Sequence, residues 1–235
     1  MYYEVAGAGV PFLFVHGGLG GGRGSEVFRQ HHMAELAPHA TVIAFDRRAA
    51  GQSEEPTDGY GFDCFVADIM ALLDHLGHPR AVLIGHSAGG PQVLQCALDH
   101  PQRVMGLVLS STASQTVRVP PGLASLTTYL GTTALSDLQG ILGQASGGAV
   151  GGILQTYLAY HLHGDPIAGR LGEIEAPALV LHGTADEEVP FIEGRRLQAG
   201  LRNASLVSFD GGRHDAMTSH AAAYRQAIID FLAGL

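Results

Sequence analysis

Ser87 has a glycine two residues away on either side, Gly85 and Gly89, in the stretch "AVLIGHSAGGPQVL". A short apolar run from Ala81 to Ile84 precedes it, and a helical pattern begins near Ala88. A strand-to-helix turn that sharp holds its central residue in a strained backbone conformation and projects the hydroxyl above the sheet. Glycine suits positions 85 and 89 because a side chain there would meet neighbouring backbone. The helix start behind the serine also offers free N–H groups and positive dipole to a developing anion. The same residues would serve as an ordinary serine N-cap, so the turn alone does not separate a nucleophile from a cap. A nucleophile further requires oxyanion donors, a base, and an acid to orient the base.

Each has a candidate. "PFLFVHGGLGGG" is an apolar run ending in a glycine-rich loop, whose Gly18 amide, or that of Leu19, can join the amide of Ala88 around an oxyanion. With 13 histidines in the chain, histidine content is uninformative, but His214 in "FDGGRHDAM" lies just past the last strand-like run. Asp186, in "LVLHGTADEEVP", follows the preceding run and is favoured over Glu187 and Glu188 by its short reach. Asp215 adjoins His214 and reads as a helix N-cap, because sequence neighbours rarely aim side chains at each other. The order Ser87, Asp186, His214, each after a different strand, is that expected of a nucleophile elbow on a parallel sheet.

The elements that must position these residues are readable as well. Seven apolar runs of strand length recur: "YYEV", "VPFLFV", "TVIAF", "AVLIG", "RVMGLVLS", "PALVLHG" and "ASLVSF". Helical periodicity fills most gaps, as in "FDCFVADIMALLDHLG", where Phe62, Phe65, Val66, Ile69, Leu72, Leu73 and Leu76 share one face. Strands alternating with helices imply an α/β fold with a doubly wound, mainly parallel sheet of about seven strands. Ligands bind at the carboxyl ends of such strands. The core domain is assigned to residues 1–112 and 173–235. Between them, residues 113–172 contain no convincing strand, and "GQASGGAVGG" interrupts weakly helical stretches; this insertion is read as a small helical lid.

Composition narrows the function classes. A net charge of -9 argues against nucleic acid and anionic membrane surfaces as partners. No apolar run approaches the roughly 18 residues a membrane span needs. All 13 basic residues are arginine, which removes lysine Schiff-base, P-loop and Ser-Lys chemistry. With only Cys64 and Cys96, and no signal-like start, a reduced cytoplasmic setting is expected.

Five motifs in order, "HGG", "DRRAAGQS", "GHSAGG", "HGTADEEVP" and "GGRHD", resemble the α/β-hydrolase fold superfamily over nearly the whole chain outside the lid. The resemblance implies Ser87 as nucleophile, His214 as general base and acid, and Asp186 as orienting carboxylate. It points to a serine esterase-like enzyme acting on a small carboxylic ester or lactone through an acyl-enzyme, with neither metal nor organic cofactor. Ala49 departs from the family's "D-x-R-G-x-G-x-S", which has glycine there. The family's first edge strand is expected to be absent, leaving "YYEV" as an exposed edge open to a partner, so that a homo-oligomer stays open. Cofactor-free haloperoxidases and perhydrolases share the same three residues and stay as alternatives, as does a non-catalytic binding protein. An aminopeptidase is weakly supported by Asp137 and Asp165 in the lid.

A dinucleotide-binding reading competes for "FLFVHGGLGGGRGS", with Asp46 where a ribose-binding acid would lie, but no full G-x-G-x-x-G occurs. His161 and His163 lack a third metal ligand nearby. His31 and His32 are expected on a helix surface, and His86, inside the elbow, is expected to pack beside the loop as a wet structural histidine.

Overall fold

The computed structural model describes residues 1–18, 22–114 and 167–235. All seven apolar runs form strands: β1 (Tyr3–Ala6), β2 (Pro11–Val15), β3 (Thr41–Phe45), β4 (Ala81–His86), β5 (Val104–Ser110), β6 (Ala178–Gly183) and β7 (Ala204–Phe209). They make one sheet in the order β1-β3-β2-β4-β5-β6-β7. β1 runs antiparallel to β3, and every other neighbouring pair is parallel. β1 is therefore the sheet edge that "YYEV" was expected to be, with Val5 exposed.

Strand residues alternate between the two faces, and both faces are covered, so the strands read as unbroken apolar runs. In β2, Leu13 and Val15 enter one core while Phe12 and Phe14 enter the other. The first core is closed by α1 (Phe62–His75), α2 (Gly90–Asp99) and α3 (Phe191–Gly200). Val66, Ile69 and Leu73 of α1 and Val93 and Leu94 of α2 face the sheet there, the three- and four-residue spacing that one helix stripe requires. The second core is closed by α4 (Ala221–Ala233), through Tyr224, Ile228 and Leu232, and by a helical segment near the N-terminus. That segment has α-helical ends, Glu26–Phe28 and Ala34–Leu36, around a π-helical turn, Arg29–Met33. Each large side chain so buried contributes about 1.5–3 kcal/mol.

The expectation for the histidine pair needs correction. Successive helix residues point about 100° apart, and only His31 faces solvent. His32 is buried, set between Phe28 and Tyr224.

Of the lid segment, its ends are described. Ala113 and Ser114 are buried beyond β5. Ile167 and Leu171 pack into the first core, Leu171 from a 3₁₀ turn, Ala168–Glu173. Asp137, His161, His163 and Asp165 lie outside the described residues. Cys64 and Cys96 are both free thiols. Among the described residues, no helix is long and apolar enough to cross a membrane.

Candidate active site

The chain leaves β2 for β3 on one side and returns to β4 on the other, so the crevice above β2 and β4 is a topological switch point. Three of the expected residues converge near this end of the sheet, carried by loops after different strands.

Ser87 follows β4 with φ of 51°, the left-handed region that costs a non-glycine residue about 1–2 kcal/mol. Packing holds it there. The Thr112 hydroxyl donates to the Ser87 carbonyl at 2.6 Å. A Cβ on Gly85 would stand 2.6 Å from the Gly89 carbonyl oxygen, and one on Gly89 would run into the Val15 carbonyl. The turn tolerates no side chain at either glycine. A 3₁₀ turn, Ser87–Gly89, leads into α2.

His214, in the loop after β7, lies with Nε2 3.0 Å from Ser87 Oγ. Its Nδ1 is 3.0 Å from Asp186 Oδ2 and 3.2 Å from Oδ1. The carboxylate therefore keeps the ring proton on Nδ1, and Nε2 is left to accept from the Ser87 hydroxyl. The Asp186 side chain is fully buried, and its Oδ1 also accepts the amides of Glu188 and Val189, each at 2.9 Å. Burial alone would raise its pKa, but the hydrogen bonds from His214 and Val189 outweigh that and leave it lowered. For His214 the balance has the opposite outcome: burial pulls the pKa down, and the Asp186 hydrogen bond and charge raise it above 6.5. The neighbouring acids do not bond to Nδ1, although the charge of Glu188 adds to the rise. Glu187 pairs with Arg213 at 2.9 Å, and Glu188 is exposed, 3.7 Å from His214 Nε2.

The loop after β2 lies against Ser87. A Cβ on Gly17 would sit 2.7 Å from Ser87 Cβ and 3.3 Å from the His86 ring. Gly18 follows with φ of 77°. Gly18 is thus the chain neighbour of a residue that touches Ser87, and Ala88 follows Ser87 in the 3₁₀ turn; Leu19 lies outside the described residues. His86 packs beside this loop as expected, its ring 5.2 Å from that of His214 and its Nδ1 3.2 Å from Ser110 Oγ. Burial and the facing His214 push its pKa down to about 3, so it stays neutral beside that ring.

Three supporting residues were not visible in the sequence. His182, at the end of β6, is fully buried with Nε2 donating to the Val189 carbonyl at 2.9 Å, and it stands 3.5 Å from Asp186 Oδ2. Burial lowers its pKa, so it braces the Asp186 loop as a neutral ring. Thr112 supports the elbow from just past β5. Arg47 reaches the glycine loop, with Nη2 2.9 Å from the Gly17 carbonyl. Only the i, i+4 spacing of His182 and Asp186 hinted at any of these contacts.

Other candidates resolve differently. Asp46 is fully buried and accepts from the amides of Ser25 at 2.7 Å and Gln52 at 2.9 Å and from Arg29 at 2.9 Å. A carboxylate so buried and engaged braces its own loop and is not presented to a ribose. Asp215 does sit at a helix N-cap position, but its side chain makes no capping bond. Among the described residues no cluster of three or more His, Cys, Asp or Glu could hold a metal.

With this sheet and this serine–histidine–aspartate relay, the chain belongs to the alpha/beta hydrolase fold family: that family's model matches residues 10–147, and a model described as TAP-like protein matches residues 163–234. It is an enzyme of the hydrolase class. RutD of Variovorax paradoxus is 31% identical, over 99% of this chain and 96% of its own. The 2-hydroxy-6-oxononadienedioate/2-hydroxy-6-oxononatrienedioate hydrolase of Paraburkholderia xenovorans is 30% identical, over 99% of this chain and 90% of its own. Among solved structures, an esterase from Exiguobacterium antarcticum superposes with a TM-score of 0.80 over 99% of this chain and 95% of that one, at 20% identity, which speaks for the fold.

Proposed function

We propose that this protein is a serine hydrolase that cleaves a carboxylic ester or lactone through an acyl-enzyme. The observation that carries the reading is the unbroken relay from Ser87 Oγ through His214 to Asp186, each step 3.0 Å long. His214 Nε2 takes the hydroxyl proton as Oγ attacks the substrate carbonyl, and Asp186 stabilises the imidazolium that forms. The amides of Gly18 and Ala88 receive the oxyanion. As the tetrahedral adduct collapses, the acyl–oxygen bond breaks and His214 passes its proton to the leaving alcohol. Water then repeats the sequence: His214 removes its proton, and the acid departs as Ser87 regains one. The two free thiols suit a reducing compartment, and we place the enzyme in the cytoplasm on that ground.

Hydrolysis of p-nitrophenyl esters of increasing acyl length, wild type beside Ser87→Ala, tests this. The substitution is expected to lower kcat by about 10⁶ with the fold intact. Retention of a tenth of the activity would remove Ser87 from the mechanism. A fluorophosphonate should label Ser87 in the wild type even where the esters are not turned over.

A second reading draws on the relatives. A non-heme chloroperoxidase of Streptomyces lividans is 28% identical, and hydrogen peroxide can replace water at the same acyl-enzyme. Peracid formation from acetate and peroxide faster than ester hydrolysis would favour it. RutD, whose name proposes carbamate hydrolysis, adds carbamates to the panel.

A further inference from the structure

We infer that Arg47 is a positioning residue for the oxyanion loop: its guanidinium grips the carbonyls of Gly17 and Gly18 and thereby aims the Gly18 amide at the reacting carbonyl. The inference deepens the ester-hydrolase reading and rests on it. Its root is the planarity of the peptide bond. In a trans unit the C=O and the N–H point in opposite directions, and the Gly17 carbonyl shares its plane with the Gly18 N–H. Whatever fixes that carbonyl fixes the donor.

Two groups fix it. Arg47 Nη2 donates to the Gly17 carbonyl at 2.9 Å, and the His16 ring donates through Nδ1 at 2.6 Å. His16 can donate there because its Nε2 accepts the backbone amide of Arg47 at 3.0 Å, which leaves the ring proton on Nδ1. Arg47 thus acts on the same carbonyl twice, once with its guanidinium and once by setting the histidine tautomer. Its Nη2 also donates to the Gly18 carbonyl. Two consecutive glycines have more backbone freedom than any other pair, and neither has a side chain through which it could be packed in place.

Arg47 is itself held firmly. It is buried, and its guanidinium lies over the Phe65 ring of α1 at 5.6 Å. A cation at the carbonyl end of the peptide also polarises the unit, which strengthens its N–H as a donor. The arginine occupies the unspecified position of the "D-x-R-G" pattern. The adjacent Arg48 has a different task, forking onto Asp68 with two contacts of 2.7 Å.

Arg47→Met and Arg47→Lys test the inference, assayed with p-nitrophenyl acetate beside the wild type and with melting temperatures recorded. Removing an oxyanion donor outright costs about 10²–10³ in rate, and misdirecting one costs less. Arg47→Met should lower kcat about 10- to 100-fold with KM within about threefold. Arg47→Lys keeps the charge but loses the fork, and should lose about tenfold. The signature is the affinity for a methyl trifluoromethyl ketone, which forms a hemiketal oxyanion on Ser87. That affinity should fall by the same factor as kcat/KM, whereas a purely structural arginine would not tie the two together.

A folded variant whose kcat stays within about twofold, or whose loss has no counterpart in ketone affinity, overturns the inference. Failure of both variants to fold overturns it as well, since Arg47 would then be a brace of the fold. If the wild type does not turn over the ester, the rate of Ser87 labelling by a fluorophosphonate replaces kcat in the comparison. A wild type neither active nor labelled overturns the hydrolase reading, and this inference with it.

Discussion

Replacing His32 with phenylalanine should flatten part of the acid sensitivity of this fold. The ring is buried between Phe28 and Tyr224, with centroids 5.4 and 5.1 Å away, and a hydrogen bond with the Met217 backbone offsets that burial only in part. Burial, aided by the positive charge of Arg225, lowers its pKa from 6.5 to about 4. The unfolded chain therefore binds the proton first as the pH drops. Stability is fully present above 6.5 and is lost as the pH falls from there toward 4. Each pKa unit is worth 1.36 kcal/mol, so the gap of about 2.5 limits the loss to about 3 kcal/mol below pH 4, and at pH 5 about 2 kcal/mol is gone. Urea unfolding of the wild type and His32→Phe at pH 8 and pH 5 measures it. Groups that titrate in both proteins cancel in the comparison, as does any constant effect of the new ring. The wild type should lose about 2 kcal/mol more than the variant between the two pH values. A loss equal in both to within about 0.5 kcal/mol would refute the argument.

The remaining predictions concern the site. Because the Asp186 hydrogen bond raises the His214 pKa above 6.5, and His214 must be neutral to act as base, ester hydrolysis should rise with pH through a midpoint above 6.5. His86, near 3, adds no second limb across pH 5 to 9, and a midpoint below 6.5 in kcat/KM would contradict the assignment. Gly17→Ala would place a Cβ 2.7 Å from Ser87 Cβ, so the loop or Ser87 must shift. A shift of about 1 Å costs about 10² in rate, to be read as kcat/KM alongside an unchanged melting transition.

What could be read from the sequence divides according to how far each feature reaches through space. Ser87, Asp186 and His214 were legible because each follows a strand-length apolar run, and a parallel sheet delivers the ends of its strands to one edge. Gly85 and Gly89 were legible because a single effect, overlap of a Cβ with backbone, excludes every alternative there. His32, His182 and Arg47 were not. The direction of His32 depends on Tyr224, far along the chain, and the role of Arg47 depends on carbonyls thirty and twenty-nine residues earlier. Asp46 illustrates the same limit, since its position fitted a ribose-binding acid until the amides of Ser25 and Gln52 were seen to occupy it.

Ala49 shows a further reason why a motif position can be misread. The family has glycine there, and the structure supplies the usual ground for one, since φ is 57°. A side chain in that conformation costs about 1–2 kcal/mol. Yet the Ala49 methyl is fully buried against Tyr60 and Phe65, and one such carbon contributes about 0.8 kcal/mol. Alanine also restricts the unfolded chain relative to glycine, worth about 0.4–1 kcal/mol. The gains of about 1.2–1.8 kcal/mol meet a cost of about 1–2 kcal/mol, and the choice of residue is close to neutral. Glycine at 49 and glycine at 89 look alike in a sequence pattern. At 89 the obstacle is the Val15 backbone, which cannot yield, whereas at 49 it is a torsional cost that packing offsets, and only the second kind leaves a motif free to vary.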